Sequence, residues 1–240
     1  MILVALALVS ASAFSSTHSM TVLVGDAPAR EYHHDGTVYV EALRGQDFAI
    51  RITNPTPYRV AVALSVDGLN TIDARHTDAW SAQKWVLEPW ESTVISGWQV
   101  DQDNARRFFF TGERSSYGAA LGKIENLGVI EAVFYRERQR RAHTNAAPKA
   151  MPQPIAADGG ATGSAKSGAL SDEYAATGMG ERDRHEIVDV DIDLDPRPVA
   201  SARIRYEFRP QLVKLGVLVD RSPLERRENA RGFGEFCPQP

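Results

Sequence analysis

Between Thr37 and Arg136 apolar residues recur at every second position, in short runs broken by proline and glycine. This period-two pattern constrains the fold more than any other feature of the chain. In 47–53, Phe48, Ile50 and Ile52 share one face, while Asp47, Arg51 and Thr53 share the other. In 58–66, Tyr58, Val60, Val62, Leu64 and Val66 point one way and Arg59, Ala61, Ala63 and Ser65 the other. Alternation of this kind marks half-buried antiparallel strands. Asn54-Pro55-Thr56-Pro57 supplies the turn between them, because proline presets φ and cannot continue a ladder. Asp67-Gly68 predicts a second turn.

Further strands are expected at 37–43, 84–87, 92–98 and 106–111, with a turn at Glu88-Pro89-Trp90-Glu91. Residues 127–135 differ, since Val129 and Val133 face one side and Ile130, Ala132 and Phe134 the other. A strand apolar on both faces belongs in the middle of a covered sheet. Residues 115–121 predict one short helical turn. The pattern reads as all-β, an antiparallel β-sandwich or Greek-key-like domain spanning 30–141.

No aromatic residue occurs between Tyr135 and Tyr174. The stretch 142–176 is rich in Ala, Gly, Pro and Ser, and its composition is that of a flexible linker with a root-mean-square span on the order of 30 Å. Within the tail, 177–240, Ala202, Ile204, Tyr206 and Phe208 alternate against Arg203, Arg205 and Glu207. Such a strand is unstable alone. Burying Ile204, Tyr206 and Phe208 contributes on the order of 1.5–3 kcal/mol each as an upper estimate, so the strand is expected to add to a sheet edge, in cis or in another copy. Residues 209–216 predict a helical turn stopped by Gly216.

At net charge −4 and pI near 5.9 the chain has no general pull toward nucleic acid. The basic run Arg136-Glu137-Arg138-Gln139-Arg140-Arg141 reads as a solvated domain boundary. Cys237 is the sole cysteine, so no intrachain disulfide forms. Ile2 to Val9 is an apolar run followed by Ala11 and Ala13, a signal-like segment over 1–13 and too short for a membrane span. Residues 14–29 read as a leader: Ser15, Ser16, Thr17, Ser19 and Thr21 precede the first acidic residue, Asp26. The alternative is that Met20 is the true start, which would leave the chain in the cytosol.

No catalytic constellation emerges. Asp189, Asp191, Asp193 and Asp195 alternate with apolar residues and are weak Ca²⁺ candidates, but an EF-hand loop from Asp189 would meet Leu194 and Ala200 where glycine and glutamate are required. The pattern is better explained as an acidic edge strand. His185-Glu186 lacks a second histidine, His33 and His34 point opposite ways on a strand, and Gly118–Lys123 misses the phosphate-loop spacing. No cofactor is expected. Glu131 is the one carboxylate in the most apolar strand; an edge residue paired with an arginine explains it better than catalysis. Trp80, Trp85, Trp90 and Trp98 lie close in sequence. Core packing explains them best, with a protein interface or stacking on a glycan as alternatives.

The succession Val40-Glu41-Ala42, Gly45-Gln46-Asp47-Phe48, Asn54-Pro55-Thr56-Pro57-Tyr58-Arg59-Val60 and Leu64-Ser65-Val66-Asp67-Gly68-Leu69-Asn70 resembles a widespread family of uncharacterised microbial β-sandwich proteins. Val86-Leu87-Glu88-Pro89-Trp90, Gly97-Trp98, Asn126-Leu127-Gly128-Val129-Ile130 and Thr177-Gly178-Met179-Gly180-Glu181 continue it. This resemblance implies a fold and no activity. Ala11-Ser12-Ala13-Phe14 resembles the junction of two-part presequences addressed to complex plastids, and the layout with that address is similar to algal pyrenoid shell proteins. The resulting expectation is a non-enzymatic structural or scaffolding protein that self-associates through the tail strand, exported from the cytosol. Its partner is a second copy or another protein; the alternative is a carbohydrate- or ligand-binding module using the tryptophans.

Overall fold

The alternating runs become strands in the computed structural model, which describes residues 18–138 and 170–219. Two seven-stranded sheets pack face to face as a β-sandwich. The first holds β1 (Ser19–Val24), β2 (Ala27–Pro28), β5 (Asp47–Thr53), β9 (Ser92–Ile95), β10 (Gly97–Gln99), β11 (Asn104–Gly112) and β13 (Ala175–Arg184). The second holds β3 (Glu31–His34), β4 (Thr37–Ala42), β6 (Val60–Val66), β7 (Leu69–Asn70), β8 (Trp85–Leu87), β12 (Val129–Glu137) and β14 (Leu194–Phe208). The helices α1 (Tyr117–Ala120) and α2 (Arg209–Lys214) are single turns, as the sequence predicts. Among the described residues no helix is long and apolar enough to cross a membrane.

The core lies between the inner faces. Phe48 stacks on Phe110 with centroids 4.3 Å apart, Phe108 meets Trp98 edge-on at 5.0 Å, and Tyr206 tilts against Phe110 at 5.4 Å. The Asn54-Pro55-Thr56-Pro57 turn is pinned by its own asparagine, whose buried Nδ2 donates to the Tyr58 and Glu88 carbonyls, both at 2.8 Å. Strand β12 sits between β6 and β14, the interior position that its two apolar faces predict.

Several expectations give way. The leader over 14–29 overlaps the sheet: Ser19–Val24 pairs with β5 along its whole length, and Met20, Val22 and Leu23 are buried. Its hydroxyl residues alternate with core residues, so a strand hides inside a leader-like composition. The linker expected over 142–176 ends sooner, because Ala175 and Ala176 are buried strand residues. β6 is buried on both faces rather than half-buried, with only Ser65 partly open. The strand expected at 92–98 breaks at Ser96 into β9 and β10, which pair with different neighbours. The acidic edge strand is not one: residues 185–193 are irregular and only Asp195 lies in β14. Finally, the tail is no added edge. β14 runs antiparallel to β12 on one side and parallel to β4 on the other, inside its sheet. The signal-like segment 1–13, residues 142–169 and Cys237 lie outside the described residues.

Candidate functional site

The seam that receives β13 and β14 is where the chain's unusual chemistry collects. Residues 18–138 supply β4 and β12, which do not touch; β14 fills the place between them. Alternation along β14 turns Ile204, Tyr206 and Phe208 inward, with exposures of 4%, 0% and 7%. Arg44 places its guanidinium 4.2 Å over the Phe208 ring. In the other sheet β13 pairs with β11 from Asn104 to Gly112. Small residues are required there, since a Cβ on Gly178 would sit 2.2 Å from the Phe109 ring. The two strands are also tied to each other: Glu207 Oε2 accepts from Ala175 N at 3.1 Å. The Glu207 carboxyl is raised above its ordinary range, chiefly by burial, with the Ala175 bond opposing.

At the centre of the seam lies Asp67, 2% exposed, in the turn between β6 and β7. Its φ of 53° and that of Gly68, 74°, form the left-handed pair that a two-residue hairpin needs. The turn aims the carboxylate inward. Oδ1 accepts from Gly128 N at 2.8 Å and from the Tyr206 hydroxyl, and Oδ2 accepts from Thr177 N at 2.7 Å. Thr177 Oγ1 and Tyr206 Oη complete the cluster at 2.6 Å. Burial pushes the Asp67 carboxyl up to about 7, against the hydrogen bonds from Tyr206, Thr177, Gly128 and Val129, which favour the anion. Tyr206 is driven well above its usual value, first by burial and then by the neighbouring Asp67. Because the cluster is sealed, its carboxyl meets no substrate. It instead bonds the body to both C-terminal strands at once, one partner on β13 and one on β14.

The tryptophans do not form a row. Trp98 is core, its Nε1 donating to Gly178 O at 3.2 Å. Trp85 is half-buried, donates to Thr71 Oγ1 at 2.9 Å and lies 5.4 Å from the His185 ring. Trp80 packs edge-on against Tyr135 at 5.3 Å, and Trp90 stands exposed in its turn at φ 64°. A shared stacking platform through all four is therefore excluded by their placement.

Asp189, Asp191 and Asp193 are exposed, with Asp193 3.5 Å from Arg138. Among the described residues no three His, Cys, Asp or Glu side chains gather as a metal site would require. Glu131 pairs with Arg203 through both carboxylate oxygens, at 3.0 and 3.1 Å. His185 Nδ1 bonds Gln99 Oε1 at 2.8 Å, and His34 faces Asp35 rather than His33.

The Asp67 cluster escaped sequence reasoning except for its turn. Thr177 and Tyr206 are 110 and 139 residues away in sequence, and nothing local announces them. Comparison with protein-family models, curated proteins and solved structures finds no match.

Proposed function

We propose that the chain is a non-enzymatic structural or scaffolding protein, assembling by lending β13 and β14 to a neighbouring copy. The observation that carries this reading is the interior place of β14. A body that lacks it has an open slot between β4 and β12, with unpaired ladder groups on both sides, and such a slot selects the one strand that fits it. Every contact made within one chain can be made between two, which is the low-cost route to assembly by exchange of an identical element.

The connection is long enough for either arrangement. From Arg138 to Leu170 the backbone has a contour length on the order of 100 Å when extended. The resemblance in layout to pyrenoid shell proteins implies the same role, a protein that coats by associating with itself. The N-terminal address fits such a protein if processing spares β1, which places any cut before Ser19.

The test shortens the connection. With residues 145–164 deleted, the C-terminal strands reach their own body less readily, and exchange is favoured. Light scattering on the eluting protein should show the full chain populating dimers or larger species as concentration rises, and the shortened chain should do so at lower concentration. Two strictly monomeric proteins at millimolar concentration would remove this reading.

A further inference from the structure

A second feature lies away from the seam, on the outer face of the second sheet. After β7 the chain leaves the sheet for residues 71–84 before returning as β8, and a cavity of about 360 Å³ remains between this excursion and the strands. That volume falls at the lower end of the range small-molecule sites occupy. We propose that this groove binds a neutral saccharide, a role independent of the assembly reading.

The floor is built by alternation. β6 turns Ala63 and Ser65 outward, β12 turns Glu131 and Val133 outward, and β14 adds Arg203. Methyl groups thus flank a charged pair, the combination that a pyranose needs for its C–H face and its hydroxyls. The Arg203 guanidinium spends one nitrogen on both oxygens of Glu131, at 3.0 and 3.1 Å. Its other N–H groups and the second lone pairs of the carboxylate stay available, because an arginine carries five donors and a carboxylate about four acceptor sites. Adjacent donors and acceptors of this kind suit a vicinal diol, each hydroxyl of which both gives and takes a hydrogen bond.

Charge does not select an ion. The positive charge of Arg203 is matched by Glu131, and Asp78 adds a second carboxylate on the roof. Lys84 and Lys123 sit behind the roof on the Ala82 and Ala74 carbonyls and offset Asp78, so the groove holds no strong excess of either charge to favour an ion.

The roof is also fixed in advance. Asp78 Oδ1 accepts from Trp80 N and Ser81 N at 2.9 and 3.0 Å. Asn70 Nδ2 donates to Gln83 O at 2.8 Å, and Lys123 Nζ donates to Ala74 O at 2.9 Å. Trp80 packs on Tyr135, two residues beyond Val133 on the same face, and clamps the excursion to the sheet. An excursion of this length without regular structure is uncommon unless it has a role. Held this way, the site has little ordering left to do when a ligand arrives. The indole of Trp80, 45% exposed beside the groove, supplies a spectroscopic reporter.

The experiment titrates the full chain with glucose, galactose, mannose, N-acetylglucosamine and their disaccharides, read by saturation-transfer NMR and tryptophan fluorescence. At least one should bind, with a fluorescence change that Trp80→Phe abolishes. Arg203→Met and Glu131→Gln, both at solvent-facing positions, should weaken binding at least tenfold without altering the thermal midpoint by more than a few degrees. Glucuronate and inorganic phosphate serve as anionic probes. Silence from every neutral sugar, tighter binding of either anion, or undiminished binding in both variants would overturn the assignment.

Discussion

Replacing Asp67 by Asn should change how stability depends on pH more than it changes the fold. The folded carboxyl titrates at about 7, against 3.8 for the ordinary group. A folded-state value above the unfolded one means that the folded chain holds the proton more tightly. The stability this proton confers is complete below about pH 4 and is lost as pH rises through about 7. The whole excursion is on the order of 4 kcal/mol, a large share of the 5–15 kcal/mol typical of a domain. Glu207, also raised by burial, adds a slope of the same sign. His18 and His185, both lowered by burial, add the opposite one as pH rises toward 6.5. The variant isolates Asp67 from these, since asparagine resembles the protonated acid and does not titrate. Its amide cannot accept from Thr177 N while also meeting Gly128 N and Tyr206, so a constant loss of about 1–3 kcal/mol is expected. Urea unfolding followed through buried Trp98 at intervals from pH 4.5 to 8 measures both terms. The wild-type chain should lose several kcal/mol relative to the variant across that range. A constant difference at every pH would refute the claim that Asp67 takes its proton from burial.

Deleting residues 1–24 should destabilise the sandwich severely, because Met20, Val22 and Leu23 leave the core, at on the order of 1.5–3 kcal/mol each. Deleting 1–17 leaves every described strand in place and should leave the thermal midpoint within a few degrees, which differential scanning calorimetry separates. Fusing residues 1–17 to a fluorescent reporter should carry it out of the cytosol; a diffuse cytosolic signal would favour Met20 as the start.

What could be read from the sequence was what is written locally. β4 and β5 carry their alternation within six and seven residues, and β12 shows two apolar faces within nine, so local pattern alone locates them. The inward set Ile204, Tyr206 and Phe208 was legible for the same reason, but not the place of its strand, since parallel pairing with β4 is fixed by contacts over 160 residues away. β13 was illegible because its first half is Ala-Ala-Thr-Gly, small residues that pass beneath Phe109 and show no apolar alternation even though Ala175, Ala176 and Thr177 are buried. β1 was masked by serine and threonine that face away from the core. The tryptophans show the limit of proximity in sequence: one is core, one is hydrogen-bonded inside, and two stand on separate turns. Asp67 looked like ordinary turn chemistry, and only the arrival of Thr177 and Tyr206 makes it the polar centre of the molecule.

The lending of β13 and β14 is tested most directly by a disulfide that records which chain supplies them. Val133 of β12 and Ser201 of β14 face each other in register on the outer surface. Val133→Cys and Ser201→Cys are introduced together with Cys237→Ser, the chain is refolded over a range of concentrations, and it is then oxidised and run without reductant. At high dilution the bond should close within single chains. At high concentration dimers and longer ladders joined by the same bond should form, reverting to single chains on reduction and dilution. Intrachain bonds alone, at every concentration at which the protein folds, would contradict it.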